Sequence, residues 1–395
     1  YVNPSAWDWK SDLRYYSPPK QTDRHEAPHL AEQKIVPETG RAYNLPMLVG
    51  DLGEFALIDR LAKSIETRNN SLASALEAQG SKLALGIGDD AAVWSTGSGL
   101  TVATTDTMVE GSHFFIDQIG WRNLGWKAIS ANTSDVGAMG CRPTFALVTL
   151  GLRGDLPVNG LVEMYAGMMD ALEYSGGLIA GGDVVKSPVF FVTVALEGQS
   201  VTIGEKAHLL RRDKAKPGDL IAVTGPLGCS GGGLRLALGD NRSSDLKKED
   251  SAHLNRAHFH PYPKVSEGIA LARAGVKSAM DISDGLLDDL GKLCKESRVG
   301  AIIRASDVPA DATLRSAFPD DWLALALGGG EDYELLFTAP AEIMDIAVRA
   351  VDAPISIVGE IHPASTGVIV VDDSDSPISV ATGGWDHFDH NSQSS

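Results

Sequence analysis

Cysteine is scarce: three in 395 residues, Cys141, Cys229 and Cys294, far apart and with no CxxC pair. That excludes a disulfide framework and a paired-thiolate zinc site, and the expectation is three small, half-buried side chains in a reducing cytoplasm. No stretch approaches the roughly 18 apolar residues of a membrane span, and the first residues lack the basic-then-apolar plan of a secretory signal. Positive charge is also short. Lys plus Arg number 34 against 52 Asp plus Glu, a formal charge of −18. That balance argues against nucleic acid or an anionic lipid surface as a partner. No G-x-x-x-x-G-K-[ST] occurs, which removes an ordinary P-loop.

What is present is an ordinary globular composition, 43% hydrophobic and 22% charged, over a length that suits two or three domains. Residues 1–50 stand apart. They hold six of the 19 prolines and no sustained apolar period, and their six acids cancel their six bases. They are expected to form a loosely structured extension, so the whole negative excess belongs to residues 51–395. From Glu54 the spacing becomes regular. Apolar periodicity predicts helices over Glu54–Ala62, Arg122–Met139, Leu161–Tyr174, Gly233–Leu238, Val265–Ala274, Leu286–Glu296 and Ala341–Val351. Short strands are predicted at Ser81–Gly86, Leu100–Thr104, Phe145–Gly151, Gly177–Ala180, Val189–Glu197, Leu220–Thr224 and Tyr333–Thr338, with a closing strand pair within Ile355–Val371. Interleaved strands and helices predict an α/β (α+β) protein of two domains, 51–205 and 206–390, and a polar tail over 391–395.

Several motifs are decoys. His25-Glu26-Ala27-Pro28-His29 fits H-E-x-x-H, but Pro28 would cost about 3 kcal/mol inside the helix that a zinc site needs. Gly86-Ile87-Gly88-Asp89-Asp90-Ala91 fits G-x-G-x-x-A, yet a turn comes next where a dinucleotide fold requires a helix. His253, His258 and His260 read as solvated loop histidines. Gly225-Pro226-Leu227-Gly228 and Gly231-Gly232-Gly233 fit equally a set of backbone donors for a nucleotide or a tight strand-to-helix turn.

The informative feature is a series of acids beside glycine or at predicted strand ends: Asp89-Asp90, Asp106, Asp135, Asp183, Asp281 with Asp284, and Glu331-Asp332. Each alone is turn or cap chemistry, and Asp284 reads as the clearest helix cap. Together, with Thr104, Thr105 and Ser283 adding hydroxyls, they suit hard cations such as Mg²⁺, which take oxygen ligands and substrate phosphates. Two carboxylates 4 Å apart repel by about 4 kcal/mol at an effective dielectric near 20, so such a cluster calls for cations.

The wording of these motifs resembles the thiamine-monophosphate kinases. The resemblance runs in order from about residue 53 to 389, through Glu54-Phe55-Ala56-Leu57-Ile58, the Gly86–Ala91 run and Thr105-Asp106-Thr107-Met108-Val109-Glu110-Gly111-Ser112-His113-Phe114. It continues through Asn132-Thr133-Ser134-Asp135, Gly181-Gly182-Asp183, Asp281-Ile282-Ser283-Asp284-Gly285-Leu286 and Gly329-Gly330-Glu331-Asp332-Tyr333-Glu334-Leu335. It implies a two-domain fold of the aminoimidazole-ribonucleotide-synthetase superfamily, a homodimer whose N-terminal domains join into a β-barrel, and active sites in clefts between domains. It implies phosphoryl transfer from ATP to thiamine phosphate, with Asp106, Asp135 and Asp183 catalytic. Asp90, Thr104, Thr105, Asp106, Asp135, Asp183, Asp281 and Asp284 would hold several Mg²⁺ ions, and a monovalent cation is compatible with the set. Gly182, Asp183, Arg212 and Ser283 would contact ATP, with Arg211 the alternative to Arg212. His113, Glu331 and Trp385 would meet thiamine phosphate. Other readings keep the fold with another substrate (an aminoimidazole ribonucleotide or selenophosphate synthetase) or make the chain a binding protein without catalysis.

Overall fold

Two mixed sheets, each with helices packed on it, organise the residues that the computed structural model describes: 47–87, 92–204, 206–240 and 246–379. The expected extension lies outside these residues up to position 46, as does the tail 391–395. The first part runs α1 (Val49–Leu52), α2 (Glu54–Ala78), β1 (Lys82–Leu85), β2 (Val93–Ser95), β3 (Thr101–Val109), α3 (Ile116–Ile119) and α4 (Trp121–Ala138). It continues through β4 (Cys141–Leu152), α5 (Val158–Ser175), β5 (Leu178–Lys186), β6 (Phe191–Ile203) and β7 (Lys206–His208). Strands order as β3-β6-β4-β5 with β7 on β6, while β1 and β2 pair separately. Only β4 and β5 are parallel, joined through α5 as a crossover must be.

Alternation decides which face of this sheet is covered. Val192, Val194 and Leu196 of β6 are buried in one core with Met108 of β3 and Leu124 and Ile129 of α4. Helix α4 is buried almost all round, including Lys127, Ser130, Asn132 and Ser134. It crosses α5 backbone to backbone. A Cβ on Gly125 would come 1.8 Å from the Met164 carbonyl oxygen, and one on Gly167 1.8 Å from that of Arg122. Glycine is there for closeness, not for a turn.

The second part runs β8 (Leu220–Thr224), α6 (Cys229–Ala237), α7 (Lys248–Phe259), α8 (Val265–Ala274), β9 (Ser278–Asp281), α9 (Leu286–Ser297) and β10 (Val299–Arg304). Then come α10 (Ala312–Ala317), α11 (Trp322–Gly328), β11 (Leu335–Ala339), α12 (Ala341–Ala350), β12 (Ile355–Pro363), β13 (Val368–Val371) and β14 (Pro377–Ile378). Its seven strands order as β14-β13-β10-β12-β8-β11-β9. Edge strand β9 lies beside α4, so the end of β9 meets the C-terminal turns of that helix.

Several elements differ from the sequence reading, each for a physical reason. The opening helix continues to Ala78 because Ile65 and Leu76 extend its buried stripe. β3 continues to Val109 and β5 to Lys186, so Asp106 and Gly181-Gly182-Asp183 sit inside strands rather than at their ends. The ladders of β3 with β6 and of β5 with β4 supply backbone partners that override the low strand propensity of Asp and Gly. The triple glycine lies inside α6, where a Cβ on Gly233 would come 2.2 Å from the Leu254 carbonyl oxygen of α7. The closing strands β12 and β13 do not pair with each other; both pair with β10, a strand outside the expected set.

Candidate active site

Three acids from three elements meet where the two sheets adjoin. Thr104 and Asp106 alternate onto the helix-covered face of β3, Asp135 lies one turn before the end of α4, and Asp281 closes β9. The Thr104 hydroxyl donates to Asp135 Oδ2 at 2.5 Å, and Ser134 Oγ donates to Asp281 Oδ2 at 2.8 Å. Burial, then the nearby Asp135, pushes Asp106 up to about 6. Asp281 is pushed up to about 7, by burial first and then by Asp135. Asp135 is raised too, since burial outweighs the Thr104 hydroxyl and the Arg212 charge. Carboxylates crowded this way favour a bound proton or a cation.

An open cavity of about 610 Å³ adjoins this cluster, lined among others by Thr104, Asp135, Arg212, Asp281 and Lys292. Arg211 is tied up by two bonds to Asp213, Nε to Oδ1 and Nη2 to Oδ2, each 2.8 Å. Arg212 makes no such pair among the described residues, and its charge acts on Asp135 and Asp281. Both arginines line the cavity, and Arg212 is the one not committed to a neighbouring aspartate among the described residues.

The Asp281–Gly285 turn is held by a residue that the sequence reading missed. The fully buried Asp289 takes the backbone N–H groups of Ser283, Asp284 and Gly285 on Oδ2 at 3.0, 2.9 and 3.2 Å. Asp284 does not cap α9; its side chain instead meets the Lys292 ammonium, which also reaches Asp288 and Asp289 at 2.8 Å. The available signal was an acid in the first turn of a helix preceded by a glycine.

A second cluster surrounds Glu331. Lys127, only 2% exposed, places Nζ 2.9 Å from Glu331 Oε2, and His258 Nδ1 lies 3.3 Å from the same oxygen. Burial would raise the Glu331 carboxyl, but Lys127 and then His258 hold it below the usual range. His113 also acts on Glu331 electrostatically, and its Nδ1 accepts the Val109 N–H at 3.1 Å. The backbone here is strained: Glu331 and Tyr333 have φ of 64° and 52°. Non-glycine residues in that region cost on the order of 1–3 kcal/mol each and persist only where surroundings over-determine them. They do so here. Glu331 N–H donates to the Ser283 carbonyl at 2.8 Å and Tyr333 N–H to that of Ile282 at 2.9 Å. Asp332 receives the N–H groups of Gly228 and Ser230 at 2.6 and 3.1 Å, and Glu334 pairs with Lys264 at 3.0 Å.

One expectation is thereby corrected, and one of the two readings of the glycines is favoured. His258 is buried on α7 and bonded to Ser230 Oγ at 3.1 Å, not a solvated loop histidine. The Gly228 and Ser230 N–H groups are engaged by Asp332, so the glycine-rich stretch serves the turn. Cys229, His253 and Asp311 also converge, but Asp311 Oδ1 already caps α10 through the Thr313 N–H at 2.7 Å.

Not every candidate joins these clusters. Thr105 points to the other face of β3 and donates to the Val194 carbonyl at 3.1 Å. Asp183 shares that face, in a cross-strand row with Thr149, Thr193 and Thr107. Asp183 is exposed and accepts the Val184 N–H at 2.9 Å, while Gly182 falls in the row of Asp106 but two strands beyond its neighbour β6. Asp90 and Trp385 lie outside the described residues.

Known proteins share this architecture. Residues 88–199 match the family "AIR synthase related protein, N-terminal domain", and 216–371 match its C-terminal domain. The thiamine-monophosphate kinase of Escherichia coli K12 is 36% identical over 341 residues, covering 85% of this chain and 98% of that one. The Bacillus subtilis enzyme of that name is 31% identical, covering 78% and 94%. The crystal structure of thiamine-monophosphate kinase from Stenotrophomonas maltophilia superposes with TM-score 0.67 at 34% identity, covering 81% of this chain and 96% of the other. AaThiL complexed with AMPPCP and TMP gives 0.65 at 30%, covering 88% and 100%. The hydrogenase maturation protein HypE in complex with ATP, 20% identical, shares the fold.

Proposed function

This chain belongs to the thiamine-monophosphate kinases of the AIR synthase related family, and from that premise we propose that it transfers the γ-phosphoryl group of ATP to thiamine phosphate, giving ADP and thiamine diphosphate. The observation that carries the reading is the meeting of Asp106, Asp135 and Asp281 beside an open cleft, with two of the three pushed up to about 6 and 7. Asp135 stands between Asp106 and Asp281 and repels each of them, and such carboxylates with neighbouring hydroxyls suit hard divalent cations. Thr104, Asp106, Asp135 and Asp281 would hold Mg²⁺, with Asp284 beside them and Asp90 from the segment outside the described residues. When bound, the metal neutralises charge between the two phosphate groups that must approach for in-line attack. The acceptor is a phosphate monoester with a second pKa of about 6, mostly a dianion at neutral pH, so no general base is needed.

The protein's own groups divide the remaining work. Arg212, which lines the cleft, and Ser283 would contact the nucleotide, with Gly182 and Asp183 assigned to ATP by the family resemblance. His113 and Glu331 take the acceptor, with Trp385 from the C-terminal segment. The two sheets support a division into domains near residue 205. A homodimer is part of the proposal, and the bare face of the five-stranded sheet supports it. Thr105, Thr107, Leu147, Asp183 and Val185 are all exposed there, Leu147 at 37% and Val185 at 41%. No described helix is long and apolar enough to cross a membrane.

The test is direct. Purified protein with ATP, Mg²⁺ and thiamine phosphate should yield thiamine diphosphate by chromatography, and Asp106→Asn or Asp135→Asn should lower turnover at least about 100-fold. No product from the wild type would refute the proposal.

A further inference from the structure

Lys127 is a buried cation on the inner face of α4, held by an acid 204 positions further along the chain. Nothing about α4 as a helix requires it: the positions around it, Leu124, Trp126, Ala128 and Ile129, are apolar and buried. A lone ammonium at 2% exposure is costly, so its place is decided by the Glu331 carboxylate 2.9 Å away. His258 approaches the same oxygen, Oε2, at 3.3 Å from α7. Burial, then the charge of Lys127, pushes its imidazole down to about 4 against the pull of Glu331, so the ring is neutral at pH 7. The same ring nitrogen, Nδ1, also meets Ser230 Oγ at 3.1 Å, so Ser230 and Glu331 share it. The Lys127 and His258 contacts converge on Oε2, and Oε1 takes no hydrogen bond from the described residues. Meanwhile the backbone under Glu331 is pinned in a left-handed conformation through the Ser283 carbonyl.

We propose that Lys127 and His258 are positioning residues for the acceptor: they clamp one oxygen of Glu331 and keep the carboxylate ionised, so that the other oxygen is presented to the substrate as a fixed hydrogen-bond acceptor. Because the ammonium balances its charge, Glu331 selects by directed hydrogen bonding rather than by net negative charge. The assignment rests on the reading of Glu331 as an acceptor-binding residue.

A double-mutant cycle tests it, using Lys127→Met, Glu331→Gln and the pair in the full-length enzyme, with KM for thiamine phosphate and for ATP measured separately. Each single variant should raise KM for thiamine phosphate about 10-fold or more and leave KM for ATP within about twofold, in protein that still folds cooperatively. The pair should be no worse than Glu331→Gln alone, because Lys127 acts only through Glu331. Additive effects, or equal losses toward both substrates, would overturn the proposal. If Lys127→Met does not fold, His258→Gln in the same cycle decides it by the same criteria. The two readings also fail differently. If Glu331→Gln leaves KM for thiamine phosphate unchanged, the assignment of Glu331 falls and this proposal with it. If Glu331→Gln raises KM but neither partner variant does, only the positioning role falls.

Discussion

At the scale of single residues, the site's acids divide by what stands next to them. Glu331 has an ammonium and an imidazole, and is held below the usual carboxylate range; Asp106 and Asp281 are buried, beside another acid, and are pushed up. That difference fixes the sign of the stability effect. With folded values of about 6 and 7 against an ordinary 3.8, the folded protein binds more protons than the unfolded chain across that window. Stability from these groups is therefore lost as pH rises through it. The metal-free protein should melt lower at about pH 8 than at about pH 5.5, and millimolar Mg²⁺ should flatten that slope. Asp281→Asn should raise the metal-free melting temperature at about pH 8 by a few degrees while turnover collapses. A lower melting temperature in that variant would show that the repulsion is not what the geometry indicates.

Elements place these residues, and here the sequence was only partly legible. The acids, hydroxyls and glycines of the site were visible as types, because hard-cation chemistry uses few residue kinds. Residue chemistry alone did not give their grouping; the family resemblance did in part, joining Asp106, Asp135 and Asp281 but also Thr105 and Asp183. Asp106 and Thr105 are neighbours in sequence, yet the period of two in β3 sends one toward α4 and the other to the open face. Asp289, not singled out within the predicted helix, is the fully buried acceptor of three N–H groups that shape the Asp281–Gly285 turn. Asp289→Ala leaves those donors without their carboxylate and should cost on the order of 3 kcal/mol in denaturant unfolding, with reduced turnover. A change under about 0.5 kcal/mol would mean that the turn is held by something else.

For the molecule as a whole, the two sheets matter because the site is assembled from both. Ser134 on α4 bonded to Asp281 on β9, and Lys127 on α4 bonded to Glu331 before β11, tie the halves together through side chains that also serve chemistry. Mg²⁺ with ATP should accordingly raise the melting temperature more than either alone, since ligands bridging the halves stabilise the folded state. The bare sheet face gives a second expectation. Leu147→Asp should turn a dimer into a monomer by light scattering and reduce turnover, with the protomer still folded; an unchanged dimer would place the interface elsewhere.

The amino-acid sequence by itself determined the excess of acids, the alternation of strands and helices, and the ordered motifs that mark the family. Local spacing and residue chemistry suffice for those. Only the tertiary structure decided that Asp135 stands between Asp106 and Asp281, that Thr105 and Asp183 share the opposite face, and that Lys127 and His258 belong to Glu331. Those facts depend on strand register and on contacts between residues more than a hundred positions apart, such as Ser134 and Asp281, separated by 147. No local pattern encodes a contact of that range, because it is set by how the helix-covered sheets pack.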